Sequence, residues 1–320
     1  MKARRLAAIL VALPLSAQVK MARHPGRIAV EIDGKPFTEF FFGPETPKPY
    51  LHPLRAASGT IVTRLYPMAK VEGEAYDHPH HRGLWFTHGD VNGFDFWANE
   101  PNPRRTNLGR VVLKQMLGVK EGRESGSISA QFEWRDPQGN ALLVERRDMV
   151  FHAHPSLRVL DLDITLTAAV TVRFGDTKEG TFAIRLAPWL EEPHARAPAS
   201  PPRTGRMVSS EGKQTEKEVW GSRAAWVDYF GEIRGEKLGV AIFDHPSNPR
   251  HPTYWHARGY GLFAANIFGL RDFLRDRTQD GSLTLAPGQS LRFRYRVVIH
   301  PGDPGTAGIA QLYAAYAGRS

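Results

Sequence analysis

Along most of the chain, apolar and polar residues alternate with a period of two, the spacing that sends successive side chains to opposite faces of a strand. Ile28, Val30 and Ile32 alternate with Ala29 and Glu31, and Asp33-Gly34 supplies a hairpin turn before the apolar run Phe37 to Phe42. The same period recurs at Ile128, Ala130, Phe132 and Trp134, at Leu160, Leu162, Ile164 and Leu166, and at Leu291, Phe293, Tyr295, Val297 and Ile299. These stretches keep a mostly polar opposite face, so each predicts a strand with one side buried. Turn residues separate the runs: Pro137-Gln138-Gly139-Asn140, Asp280-Gly281 and Pro287-Gly288. Helical periodicity is convincing only near Ile309 to Ala317. The pattern predicts an all-β fold: a large antiparallel β-sandwich of two packed sheets with few short helices.

Two stretches depart from the alternation. Lys2, Arg4 and Arg5 precede the apolar run Leu6 to Leu15, and Ser16 and Ala17 follow, the three-part layout of a signal peptide over residues 1–17. The run is too short to span a membrane as a helix. The expectation is a periplasmic or secreted protein in which residues 18–320 form a single domain. The segment 193–218 is rich in Pro, Ser, Arg, Lys and Glu and predicts a long exposed loop, either a lid over a binding cleft or an excursion without function.

A chain of 320 residues with 41% hydrophobic content can bury a large core, and with no cysteine it must do so without disulfides. The net charge of +9 falls to about +6 once the three basic residues of the leader are set aside. Basic residues are spread along strands, as at Arg292, Arg294 and Arg296, and form no dense tract. This argues against a nucleic-acid partner. No segment beyond the leader predicts integral membrane association, and nothing in the composition favours one oligomeric state.

The ionisable chemistry is concentrated in Asp77-His78-Pro79-His80-His81-Arg82-Gly83-Leu84-Trp85-Phe86-Thr87-His88-Gly89-Asp90, which holds four of the 13 histidines. Imidazole titrates near neutrality and serves as acid, base or metal ligand. Proline biases its predecessor toward extended backbone, which predicts His78 and His80 on one side and His81 on the other. A His-x-His pair in an all-β protein also fits a cupin-like transition-metal site, but no glutamate lies between Glu74 and Glu100, leaving Asp90 or Asp95 as substitutes.

A second cluster, Asp244-His245-Pro246-Ser247-Asn248-Pro249-Arg250-His251-Pro252, follows the apolar run Leu238 to Phe243 and leads into Tyr254, Trp255, His256 and Arg258. Aromatic faces beside Arg, Asn, His and Asp are what sugar recognition needs, since C–H faces stack while hydroxyls take directional hydrogen bonds. A third group, Phe174-Gly175-Asp176-Thr177-Lys178-Glu179-Gly180, reads either as a β-turn or as the source of a carboxylate opposing a histidine. A Gly-x-Ser-x-Gly elbow and phosphate-cradling loops are both missing.

The histidine run, with His88-Gly89-Asp90-Val91-Asn92-Gly93 and Asp95-Phe96-Trp97, resembles the bacterial PmoA-like family, whose members are largely uncharacterised. Further matches are Lys48-Pro49-Tyr50 with Pro53-Leu54, Gly175-Asp176-Thr177-Lys178-Glu179-Gly180, and Asp244-His245-Pro246 with Asn248 and Trp255-His256. The resemblance covers nearly the whole chain after the leader. It implies a sandwich of the galactose mutarotase (supersandwich) type and relatives associated with sugar catabolism. The family label itself implies methane oxidation, which belongs to a membrane-embedded enzyme.

These observations lead to a carbohydrate-active protein whose partner is a sugar or other small polar substrate. The expected acid–base residues are His78, His80, His81, Asp176, Glu179, Asp244 and His245. The expected binding residues are Arg82, Trp85, His88, Asp90, Asn92, Trp97, Lys178, Asn248, Arg250, Trp255 and His256. Mutarotase, epimerase and lyase chemistry all fit. The alternatives are a metal-dependent oxygenase or hydrolase that holds a transition metal on the same histidines, and a sugar-binding module without catalysis.

Overall fold

The computed structural model describes residues 18–195 and 200–318, so the expected signal peptide at 1–17 lies outside the described residues. In chain order the first strands are β1 (Val19–His24), β2 (Arg27–Ile32), β3 (Lys35–Phe41), β4 (Tyr50–His52), β5 (Leu84–His88) and β6 (Arg110–Lys120). Next come β7 (Ser125–Arg135), β8 (Ala141–His152), β9 (Arg158–Ala168), β10 (Val172–Phe174), β11 (Gly180–Arg185) and β12 (Arg206–Ser209). The last are β13 (Trp226–Ile233), β14 (Glu236–Asp244), β15 (Tyr254–Ala257), β16 (Leu262–Asn266), β17 (Leu283–Leu285) and β18 (Ser290–Pro301). The α-helices are α1 (Thr215–Val219), α2 (Leu270–Phe273) and α3 (Ile309–Ala317).

The described residues form two eight-stranded antiparallel sheets and a two-stranded ribbon, β10–β17. The first sheet runs β1-β2-β3-β4-β5-β11-β16-β15 and the second β12-β13-β14-β18-β9-β8-β7-β6. The protein is therefore an all-β sandwich with few short helices, as the alternation predicts. The β2–β3 hairpin closes through Asp33 (φ 57°) and Gly34 (φ 71°), the left-handed pair that a tight two-residue turn requires.

Between the sheets, every second side chain packs into one core. Phe86 of β5 meets Trp134 at 6.2 Å and Phe293 at 5.4 Å, Phe182 of β11 stacks on Tyr295 at 4.5 Å, and Phe40 meets Phe132 at 6.1 Å. Each such buried ring contributes about 1.5–3 kcal/mol by leaving water. Trp134 and Glu145 carry polar atoms into this core and satisfy each other at 2.7 Å, with Arg147 on the same carboxylate.

Strands β7 and β9 keep the expected half-exposed outer face. The C-terminal half of β18 is buried on both faces, because α3 packs Ile309 and Tyr316 over Val298 and Phe243. The segment 193–218 is not a continuous loop. It contains β12, which pairs with β13 at the edge of the second sheet, and α1. An edge strand needs apolar residues only on its inward side, so Met207, buried beside exposed Arg206, suffices in an otherwise polar stretch.

Candidate functional site

The outer face of the first sheet is also covered. All residues of β5, β11 and β16 are buried, and the outward ones form a second apolar cluster that includes Tyr50, Trp85, Trp97, Ala183, Leu262 and Ala264. Strand register sets Tyr50, Trp85, Ala183, Ala264 and His256 in one row across β4, β5, β11, β16 and β15. Alanine at the two central positions keeps the middle of the row low between the rings of Trp85 and His256.

Against this row lies a cavity of about 360 Å³, within the range of about 300–1,000 Å³ usual for small-ligand sites. His78, His80 and His81 line it from one loop and Trp97 and Ala98 from the next. Lys178 and Glu179 enter just before β11, and His256, Arg258, Tyr260 and Leu262 come from β15, β16 and the turn between them. Three segments singled out in the sequence thus meet in one cavity.

The histidines reach it through a turn and not through an extended strand. His78 has φ 45°, and the His81 N–H donates to the His78 carbonyl at 3.0 Å, so Pro79 and His80 occupy the corner. The expectation that His81 points away from His78 is thereby corrected. Their rings stack at 4.8 Å, with Tyr260 beyond His78 at 6.0 Å and Trp85 beyond His81 at 5.3 Å. The local preference of a pre-proline residue yields here to tertiary bonds: Arg64 donates to the His78 carbonyl at 2.9 Å and to Asp77 at 2.8 Å, and Asp77 lies 3.0 Å from His78 Nδ1.

Burial keeps most of these imidazoles neutral. His80 is pushed down to about 2 by burial, reinforced by the Lys48 charge, and burial also drives His81 well below its ordinary value. His256 falls to about 4 for the same reason, against the opposing charge of Glu179. Asp77 is held well below the usual carboxylate range, first by its hydrogen bond with His78 and then by the charge of Arg185. Lys48, buried under Trp97 and Asn99, is lowered to about 7 by burial.

Neighbouring bonds fix the tautomers. Arg185 Nη1–H donates to His81 Nδ1 at 3.2 Å, which leaves the proton of His81 on Nε2. His256 Nδ1–H donates to the Lys178 carbonyl at 2.9 Å, which leaves the lone pair on Nε2. Buried donors without a partner gather on this face: His81 Nε2, Trp85 Nε1, Trp97 Nε1 and the hydroxyls of Thr87 and Thr181.

Other expected residues have structural work. Arg82 forks onto Glu100 at 2.8 and 2.7 Å and lies over Tyr50. His88 bonds the Gly175 carbonyl, Asp90 accepts the Gly93 N–H, and Asn92 bridges Thr171 and Arg173. Asp176 accepts the Gly281 N–H at 2.6 Å and faces a different groove. Asp244 binds Asn248, His251 and the Thr253 N–H, while His245 packs edge-on against Tyr316 beside α3. Arg250 donates to three carbonyls, and Trp255 is fully buried with its Nε1–H on Ala224. Of the second Asp-His-Pro segment, the part that reaches the cavity is its continuation, His256 and Arg258.

Sequence reasoning did not single out Tyr260, Arg64 or Arg185. Arg185 did leave a signal: it is the one charged residue in the apolar run Phe182-Ala183-Ile184-Arg185-Leu186-Ala187. Among the described residues no three His, Asp or Glu side chains are arranged to hold a metal ion.

The fold and site together define a two-sheet β-sandwich with a polar pocket on the outer face of one sheet. The chain belongs to the family of unknown function DUF6807, whose model matches residues 27–314. The PmoA-like name finds no support in this match. No curated protein matches the chain.

Solved structures with a similar build include an Escherichia coli K12 protein crystallised as a candidate aldose 1-epimerase, at 12% identity and a TM-score of 0.37, covering 89% of this chain and 99% of that one. A galactose mutarotase-like protein from Clostridium acetobutylicum follows at 10% identity and 0.37, covering 89% and 98%. The galactosidase domain of an alpha-galactosidase-sucrose kinase matches at 8% and 0.44, covering 88% of this chain and 42% of that one. Among the described residues no helix is long and apolar enough to cross a membrane.

Proposed function

We propose that the pocket binds a sugar unit and moves protons on it, the chemistry of a mutarotase or epimerase. The observation that carries this reading is the meeting, in one cavity of small-ligand size, of neutral imidazoles, the Glu179 carboxylate and the rings of Trp97 and Tyr260. The half-buried Tyr260 ring offers apolar surface to sugar C–H groups, with Trp97 packed behind the cavity wall. His256 Nε2 accepts from a sugar hydroxyl, while His81 backs the His78 ring.

Glu179 is the base: Lys178 holds its Oε1 at 2.7 Å and leaves Oε2 for the substrate. His78, whose Nδ1 lies 3.0 Å from the Asp77 carboxylate, is the acid. In ring opening, Glu179 takes the proton of the anomeric hydroxyl as the bond from the anomeric carbon to the ring oxygen breaks. His78 delivers a proton to that oxygen, and both transfers reverse on reclosure at the other face. Lyase chemistry would use the same pair on a carbon-bound proton. The leader-like residues 1–17 support export, which N-terminal mass analysis of the protein recovered outside the cytoplasm checks.

Anomer exchange in a panel of aldoses, followed by NMR, tests the catalytic reading. Glu179→Gln and His78→Gln are expected to slow it by about 10²–10⁴. Unchanged turnover and sugar binding in both these variants and His80→Ala would overturn the assignment. Binding without exchange across the panel would leave a sugar-binding module.

A further inference from the structure

We infer that an arginine-lined groove beside the pocket is a second subsite, one that takes an acidic sugar next to the reacting unit, so that the substrate is an anionic oligosaccharide bearing carboxylate or sulfate. The groove encloses about 800 Å³ and is lined by Asp176, Trp220, Arg271, Asp272, Arg275 and Arg277. The inference rests on the pocket reading for the reacting unit.

The two acids of the groove are used by the protein itself. Asp176 accepts the N–H groups of Gly281 at 2.6 Å and Arg271 at 3.3 Å, and Asp272 accepts that of Lys178 at 3.2 Å. The guanidiniums are not matched in the same way. Among the described residues Arg277 has no hydrogen-bond or ion-pair partner, and the Arg275 guanidinium lies 5.7 Å over the Trp220 ring with no carboxylate partner. Arg271 gives its Nε–H to the Gln279 carbonyl and approaches Asp280 no closer than 3.9 Å. Their remaining N–H forks match planar carboxylate or sulfate oxygens. Trp220 adds a ring face, and its buried Nε1–H has no partner.

The groove neighbours the pocket across Arg258 and Lys178. Arg258 lies 5.7 Å over Tyr260, which lines the pocket, and 5.9 Å over Trp220, which lines the groove. Lys178 lines the pocket while its N–H is held by Asp272 of the groove. A chain seated beside Tyr260 would pass Arg258 and bring its next unit to the edge of Trp220, among the guanidiniums of Arg271, Arg275 and Arg277. Such an arrangement of aromatic face and cationic forks selects an acidic sugar over a neutral one.

Titration of the full protein with a monosaccharide, a neutral galacto-trisaccharide, a trigalacturonate and a sulfated galacto-trisaccharide tests this. The acidic trisaccharides are expected to bind at least about tenfold more tightly than the neutral one at low salt, with the preference shrinking as salt rises to about 0.5 M. Arg275→Gln with Arg277→Gln is expected to bring the acidic-to-neutral ratio close to one. The two acidic trisaccharides show whether carboxylate or sulfate is preferred. Equal affinity for acidic and neutral trisaccharides, a ratio unmoved by the double variant, or tighter binding of an oligonucleotide of equal charge would overturn the proposal. Failure of the pocket reading shows separately, as wild-type protein that binds no monosaccharide.

Discussion

Replacing Arg185 with methionine should separate the site from the stability of the fold. Arg185 has no side-chain exposure and sits among the apolar residues of β11. Three contacts favour its charge: a hydrogen bond to His81 at 3.2 Å, Asp77 at 3.6 Å and the Tyr260 ring at 4.6 Å. A bond from a charged donor is worth about 1.5–3 kcal/mol, and a desolvated cation over a ring about 2 kcal/mol. Against them stands the cost of burying a guanidinium beside Arg64, several kcal/mol as an order of magnitude. Its Nε and Nη2 also lack hydrogen bonds, and burial pushes its pKa down to about 10.

The opposing sums are of similar size. Asp77 keeps Arg64 and His78 in the variant, so no charge is stranded. Arg185→Met should therefore change unfolding free energy by no more than about 1 kcal/mol, read from urea denaturation by tryptophan fluorescence. The site should suffer more, because His81 would be free to move its proton between nitrogens. Losing an oriented donor costs about 1–3 kcal/mol, or roughly 10–100-fold in sugar affinity or turnover. Long-range nitrogen–proton NMR at His81 reports the tautomer directly. A variant destabilised by more than about 2 kcal/mol whose His81 still carries its proton on Nε2 would refute the reasoning. In that case Arg185 serves the fold and not the imidazole.

Gly83 has φ 53°, and an added Cβ would lie 2.1 Å from the Leu51 carbonyl oxygen. Gly83→Ala should shift β5 against β4 and lower the unfolding free energy by more than the ~1 kcal/mol of left-handed strain alone; an unchanged denaturation midpoint would sink this. Trp134→Phe keeps an aromatic ring, though a smaller one, and leaves Glu145 one donor short in the core, at a cost of at least about 1–3 kcal/mol measured by urea unfolding. For the buried pair Asp228–His300 at 2.8 Å, burial raises the Asp228 pKa, and the Asp228 charge raises that of His300 despite burial. Both shifts mean that the folded state holds protons more tightly. The stabilisation from His300 is full below its unfolded value of about 6.5 and is lost as pH rises through the folded one. The stability gap between wild type and Asp228→Asn should shrink from pH 6 toward pH 9, and a gap that widens would contradict the pairing.

The architecture was legible where burial is one-sided. Alternation marked β2, β7 and β9 because one face of each strand meets the core and the other meets water. It could not show that β5, β11 and β16 are covered on both faces, since a continuous apolar run carries no facing information. That double burial creates the site: the outward row from Trp85 through Ala183 and Ala264 to His256 exists only after β5, β11 and the β15–β16 hairpin, three parts of the chain distant in sequence, come into register. The histidine run was conspicuous in composition, yet its geometry followed from Arg64 and Asp77 holding His78 in a left-handed turn, against the local rule for a residue before proline. His245 and His256 show the same limit. His245 follows β14 and His256 lies in β15 of the same histidine-rich segment, but one is carried under α3 and the other onto the outer face of the opposite sheet. Strand β14 belongs to the second sheet and β15 to the first, so the turn joining them crosses the sandwich and separates residues that composition alone would group. Residue type thus announces where chemistry is available, while sheet order decides which of those residues share a cavity.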